Sequence, residues 1–438
     1  MKLTTLILIG AALDLSAAGA AGAGPAPAAV DTLAAADTLA SIRAVPADSF
    51  SVIYRLEEII VYGKRPRELS MVTELRAGEV AARGGGDIAH TLRLEPALSV
   101  TSGAKAETET RIRGMPSHSV LVLVDGRPVN TGYYGKTDLS MIPSTDIAAV
   151  QVVKGPASSA YGPNGMGGVV NVITRSGLDA PGTEFGARFG SDGLRLLNLA
   201  TGDRRGALNW RLSGYEQYRD GFALSDDFEP TSIEDGGVRT NSGYHKAGGS
   251  LKMGYERSVA DRYTVTLGYN WSRREIPPTV YSWDSPMWRR FPEWIRYGAS
   301  INNERFIVGR FELTTVLYAD AQEDRLIDYL DPSMSGDAIE FDSKLENLTT
   351  GASMSLEGAW GERHDLHAGL AYKRDAMDKK PDLDEPWVSH SIQIGSIFIE
   401  DRYTPFAAAT VTAGVQGSIY AAEQDAPGRS DVCPTLAL

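Results

Sequence analysis

The chain has 438 residues, a formal net charge of −13, 18 tyrosines, 7 tryptophans and a single cysteine, Cys433. The acidic balance argues against a nucleic-acid partner, whose phosphates it would repel, and one cysteine cannot form an internal disulfide. Nothing after the first residues offers the ~20 consecutive apolar residues of a membrane-spanning helix.

Met1-Lys2 precedes an apolar run over residues 3–13 and then Ser16-Ala-Ala-Gly-Ala-Ala-Gly-Ala23. This is the pattern of a secretory leader, so residues 1–23 are expected to be a signal peptide. Residues 24–55, rich in Ala, Pro and Asp, read as a flexible tail. Glu57-Glu-Ile-Ile-Val-Tyr62 is then a short β-prone segment, followed by Gly63-Lys-Arg-Pro66. It suits either an exposed strand that pairs with a partner's sheet edge or the first strand of the domain that follows.

Residues 79–94 are expected to form one amphipathic helix, with Ile88 and Leu92 on its apolar face. Val120-Leu-Val-Leu-Val124 reads as a strand buried on both faces, and Asp125-Gly126 as a tight turn, since Gly accepts positive φ. The runs around Val150 and over residues 169–173 give two further strands. The loop Gly155-Pro-Ala-Ser-Ser-Ala-Tyr-Gly162 lacks the Lys-Ser/Thr ending of a phosphate-binding loop, and the Gly-x-Gly-x-x-Gly of a dinucleotide site is missing too. A small mixed α/β domain over residues 64–177 follows from these elements.

After Gly182 the pattern changes to segments of about ten residues, alternately apolar and polar, separated by turn residues, as in outer-membrane strands. They are expected at 207–215, 245–255, 263–271, 305–318, 348–356, 366–372, 391–399 and 410–420. In the third, Tyr263, Val265, Leu267, Tyr269 and Trp271 share one face. Between them, residues 276–294 read as a long loop dense in Pro, Trp and Arg. In all, ten to twelve strands are supported over residues 183–438.

Three blocks in order, Arg111-Ile-Arg-Gly-Met-Pro, Val120 to Asn130 and Gly155 to Arg175, resemble the plug domain of TonB-dependent outer-membrane receptors. The resemblance covers the chain from about Leu56, strongly over the plug and loosely beyond it. It implies a plug followed by an antiparallel transmembrane barrel of about 22 strands, the size that can enclose such a plug, of which roughly half is present here. A truncated gene, a partial sequence and a degraded copy are the origins left open for this shortfall.

The function it implies is TonB-energised import of a ferric chelate, a corrinoid or a similar scarce solute across the outer membrane, without cofactor or catalysis. Glu57, Glu58, Ile59, Ile60, Val61 and Tyr62 resemble the segment that TonB grips. Arg111 and Arg113, with Lys154, match positions that lock the family's plug to barrel carboxylates. Here Ala148, Ala149 and Gln151 replace the usual Glu, Arg and Glu beside Lys154. Solute would be met by the loops 102–108 and 131–137 and the turn 156–164, with Tyr133 and Tyr134 as flat amphipathic surfaces, and by Arg289 and Arg290 for an anionic chelate. Asp226, Asp227 and Glu229 are weak calcium candidates, a solvated acidic loop being the plainer reading, while His364 and His367 fall on opposite sides of a strand. Two other functions fit less well. One is a surface or adhesion receptor without transport, separated by the competence of residues 57–62. The other is a periplasmic α/β enzyme, opposed by the aromatic-flanked strands and the want of a catalytic constellation.

Overall fold

The computed structural model describes residues 72–437 apart from residues 104, 133–134, 156–164, 281–285, 308–309, 407–408 and 423–428. The leader, the tail and the segment 57–62 lie outside the described residues. The first domain contains β1 (Val72–Arg76), α1 (Ala77–Arg83), α2 (Ile88–Arg93), β2 (Leu98–Ser102), β3 (Thr108–Ile112), β4 (Val120–Val124), β5 (Arg127–Pro128), β6 (Ile147–Val153) and β7 (Gly168–Thr174). Five of these strands form a mixed sheet in the order β1-β6-β7-β4-β5, with β4 parallel to β7 and the other pairs antiparallel.

The three apolar runs become β4, β6 and β7, and their valines line one core with Leu75, Val80, Ile88, Leu92, Ile112 and Leu139. β2 and β3 form a separate hairpin whose loop carries residues 103–107. The single helix expected over residues 79–94 is instead α1 and α2. Gly84 and Gly85 between them have φ of +71° and +83°, values that only glycine adopts cheaply. Asp87 then restarts the helix by accepting the His90 N–H at 3.1 Å.

A twelve-stranded antiparallel sheet follows in strict chain order. Its strands are β8 (Gly182–Phe189), β9 (Arg195–Arg205), β10 (Leu208–Arg219), β11 (Tyr244–Ser258), β12 (Asp261–Ile276), β13 (Trp288–Phe306), β14 (Phe311–Tyr329), β15 (Ile339–Trp360), β16 (His364–Lys380), β17 (Val388–Phe406), β18 (Ala409–Ala422) and β19 (Arg429–Ala437). The sheet is not closed.

Two sequence expectations are corrected. Residues 305–318 span the end of β13 and the start of β14, because two adjacent apolar stretches read as one. Residues 288–294 are strand, so the loop expected at 276–294 ends at Trp288.

The two faces differ as the alternation predicts. Leu208, Leu212, Met253, Leu267, Tyr269, Ile301, Leu317, Leu370 and Ile397 are exposed on one face. Asn209, Arg211, Lys246, Lys252, Arg274, Arg296 and Asp320 are buried on the other, against the plug. Apolar-out, polar-in strands are the wall of a membrane barrel. The connections are short at one end, as at residues 206–207 and 259–260, and long at the other, as at 220–243 and 277–287. That asymmetry marks the periplasmic and the external end.

Candidate functional site

The seam between plug and wall is built from buried charges. Plug carboxylates meet wall cations at four places: Asp146 and Arg211 at 2.6 Å, Asp125 and Lys252 at 3.2 Å, Asp138 and Arg274 at 2.5 Å, and Asp87 and Lys246 at 3.3 Å. At a fifth the polarity is reversed. Asp320 of β14 is shared by Arg127 of the plug and Arg296 of β13, the latter at 2.8 Å. Arg296 also donates to the Val129 carbonyl at 2.6 Å. Gly298 makes room here, since a Cβ on it would lie 2.5 Å from a nitrogen of Arg127.

Asp125 is the most heavily used of these groups. As the first residue of the β4–β5 turn it has φ +49°, with Gly126 at +79°. Its carboxylate accepts the Thr174 N–H at 2.9 Å and the Thr174 hydroxyl at 2.6 Å, besides Lys252. Lys252 in turn donates to the Thr174 carbonyl at 2.8 Å, and Asn302 to the Asp125 carbonyl at 3.2 Å. The Asp-Gly pair that makes the turn therefore also ties β4, β7, β11 and β13 together.

Nearer the external end, Asp138 accepts the Thr108 and Ser140 N–H groups at 2.9 and 3.0 Å. Its partner Arg274 reaches the Ala106 carbonyl at 3.2 Å, in the loop of the β2–β3 hairpin, and lies 4.3 Å over the Trp294 ring. Met141 of the plug packs there with Ile276, Phe291, Trp294 and Leu326 of the wall. Burial alone would raise the Asp138 carboxyl, but Arg274, Lys246 and the donated hydrogen bonds hold it below the ordinary range. A depressed carboxyl stabilises the fold above its unfolded pKa, about 3.9, and that contribution is lost as pH falls through the folded value. Hydrogen exchange of residues 103–108 should therefore accelerate below about pH 4 in the wild type. With Asp138→Asn it should show no such step, and an unchanged step in that variant would remove Asp138 as its source.

Several residues that the sequence marks as candidates stand elsewhere than expected. Lys154 pairs with Glu95 inside the plug at 2.8 Å, beside Arg83 at 3.1 Å, and with no carboxylate of the described wall strands. Burial tends to raise the Glu95 carboxyl, but the bonds from Lys154, Thr73 and Arg83 leave it lowered overall. Arg111, on β3, meets none of the carboxylates of the twelve wall strands described, and both it and Arg113, just past the end of β3, are exposed beside that unclosed sheet. Tyr133 and Tyr134 lie outside the described residues, but the base of their loop is firmly held. Asn130 bonds Val122, Val120 and Gly135, and Lys136 bonds Glu109 at 2.6 Å.

Arg289 and Arg290, adjacent on β13, face opposite sides of the sheet because side chains alternate along a strand. Arg289 pairs with Asp328 at 2.7 Å on the inner side, and Arg290 sits 4.9 Å over the Tyr329 ring on the other. The pair cannot clasp one anion together. Asp226, Asp227 and Glu229 are exposed, and among the described residues no group of His, Cys, Asp or Glu is placed to hold a metal. His367 is buried on the inner face, and His364 pairs with Asp401 at 2.7 Å.

Sequence reasoning misses Lys246, Lys252, Arg274, Arg296 and Asp320. The signal is present, since each is a charge on the polar side of an alternating strand. Inside a barrel such charges need partners from elsewhere.

A family model described as TonB-dependent Receptor Plug Domain matches residues 66–169. The Vitamin B12 transporter BtuB of Photobacterium profundum is 30% identical over 176 residues, 40% of this chain and 28% of that relative. Among solved structures, the Copper transporter OprC superposes with a TM-score of 0.66 at 16% identity, covering 84% of this chain and 60% of that one. The FrpB iron transporter from Neisseria meningitidis (F3-3 variant) gives 0.67 at 16% identity, covering 84% and 61%. The chain thus spans about three-fifths of these structures, and at such identity they speak for the fold.

Proposed function

We propose that this chain, which belongs to the TonB-dependent receptors, forms the plug and twelve wall strands of an outer-membrane importer of a corrinoid or a metal chelate. Solute binds at the external end, and TonB pulls on Glu57 to Tyr62 from the periplasm. The inner-membrane proton gradient supplies the energy.

The observation that carries the reading is the charged seam between plug and wall. An apolar seam gives nothing to entering water, whereas carboxylates and ammonium or guanidinium groups are rehydrated as they part. Such a seam holds the plug at rest, because removing one partner of a buried pair is costly. It also yields when force admits water. The likeness to a vitamin B12 transporter and the folds shared with iron and copper transporters support the solute class.

The test is uptake of vitamin B12 and of a ferric chelate by TonB-containing cells whose only receptor is a closed barrel carrying this chain. Ile60→Pro should abolish uptake and leave surface binding intact, because proline removes a donor and breaks the strand pairing with TonB. Normal transport by that variant would remove residues 57–62 as the coupling segment. Binding of either solute by the wild type without any uptake would favour a surface receptor over an importer.

A further inference from the structure

The lipid-facing side of the wall carries a row of cationic and aromatic side chains at its external end. Register pairs Arg195 of β9 with Tyr218 of β10, Tyr218 with His245 of β11, and His245 with Arg273 of β12. Side chains alternate along each strand, so all four stand on the face that exposes Leu199, Leu212, Met253 and Leu267. The next row toward the periplasm is Leu197, Glu216, Ala247 and Trp271, and the one after it Leu199, Gly214, Gly249 and Tyr269. The cationic row therefore stands where the apolar band gives way to head groups.

Its rings are held in one platform. Arg195 lies 4.4 Å over the Tyr218 ring, and His245 meets Tyr218 and Trp271 edge-on, with centroids 5.8 and 5.2 Å away. The neighbouring carboxylates are engaged. Glu216 pairs with His245 at 2.9 Å, Asp220 accepts the Tyr218 hydroxyl at 2.6 Å, and Glu275 accepts the Gly243 N–H at 3.3 Å. Arg195 and Arg273 are exposed, and among the described residues neither guanidinium has a hydrogen bond or an ion pair. Two unneutralised cations thus flank a fixed aromatic surface.

We propose that this row binds a phosphorylated lipid of the outer leaflet. Guanidinium takes phosphate oxygens in paired hydrogen bonds, so Arg195 and Arg273 grip the head group while the acyl chains lie over Leu197, Leu199, Leu212 and Leu251. A free phosphate meets only the first of these contacts, which commits the site to a lipid. The inference needs the membrane wall alone and holds whichever solute is carried. The plainer role of such arginines is a general interfacial anchor that any head group satisfies. Arg205 is the control for that role. It stands on the same strand and face at the periplasmic end, with its side chain exposed.

The experiment measures binding of lipid A, and of lipid A stripped of its phosphates, to a closed-barrel receptor carrying this chain, by native mass spectrometry in detergent. Inorganic phosphate serves as competitor, and unfolding of the lipid-free receptor is followed in parallel. The wild type should bind lipid A, hold it against excess phosphate, and bind the stripped lipid about tenfold more weakly. Arg195→Gln combined with Arg273→Gln should cost about tenfold in lipid A affinity, the loss of charge-assisted bonds to phosphate. Its affinity for the stripped lipid and its unfolding midpoint should be those of the wild type. Arg205→Gln should bind lipid A normally.

Equal lipid A affinity in the wild type and the double variant would overturn the site. An equal loss in Arg205→Gln would make these arginines general anchors and overturn it too. Displacement of lipid A by inorganic phosphate would leave an anion site without a lipid. A lowered midpoint with both lipids weakened alike would assign the pair a structural role and overturn the proposal as well.

Discussion

Replacing Asp320 with Asn should loosen the plug from the wall by about 3–5 kcal/mol, the cost of breaking a buried pair by removing one partner. The change keeps shape and removes charge, so packing is not the cause of the loss. It leaves Arg127 and Arg296, both buried, facing each other without the carboxylate they share. Burial already lowers the Arg127 guanidinium to about 10, although Asp125 and Tyr318 favour its charged form, so it remains a cation at neutral pH. Limited proteolysis of the plug and its denaturant midpoint, both in a closed-barrel receptor in detergent, read the effect. Adding Arg127→Gln to Asp320→Asn should recover part of the loss, because the two residues are coupled. Equal midpoints for wild type and Asp320→Asn would show that the shared carboxylate does not hold the plug.

Gly168→Ala should unfold or severely weaken the plug itself, by about 3 kcal/mol or more, through backbone strain added to overpacking. Gly168 opens β7 with φ +132°, and a Cβ there would stand 2.3 Å from the Val153 carbonyl oxygen and 2.9 Å from Ile112 Cδ1. Neither neighbour can retreat, since one is backbone and the other is core. Gly114 is the matched control. Its φ is +80°, but nothing lies within 4 Å of its would-be Cβ, so Gly114→Ala carries the conformational cost alone, about 1–2 kcal/mol. Equal losses in the two variants would exclude the clash as the source. An intact plug in Gly168→Ala would show that the end of the β6–β7 pairing at Val153 adjusts freely.

Local pattern reads the strands of both parts well where one interaction decides. Val120 to Val124 is a strand because a β-branched run can only be satisfied inside a sheet, and the Asp125-Gly126 turn follows from the φ each residue tolerates. The alternation in Tyr263 to Trp271 correctly separates the exposed face from the plug-facing one. The failures also have local causes. Gly84-Gly85-Gly86 interrupts an apolar period that otherwise runs through residues 79–94. At 305–318 two apolar stretches adjoin, and the lone Gly309 between them is a weaker signal than the Asn-Gly or Asp-Gly pair of a two-residue hairpin. Trp288 to Trp294 reads as loop because Pro292 and paired arginines disguise a strand that contains a register shift between Arg290 and Glu293.

The site is less legible than the fold. The motif around Lys154 points to the wall, and its charge goes instead to Glu95, 59 residues earlier in the chain. Arg289 and Arg290 look like a cationic pair, and strand alternation sends them to opposite sides. By itself the sequence determined that an α/β plug precedes alternating membrane strands, and where most of those strands run. These depend on composition and on contacts between near neighbours. Only the tertiary structure decided which charges meet: Asp125 with Lys252, Asp138 with Arg274, Asp146 with Arg211, and Asp320 with two arginines. A buried charge specifies only that it must have a partner of opposite sign. Which partner it finds is set by the register of strands far away in the chain, and no local pattern encodes that.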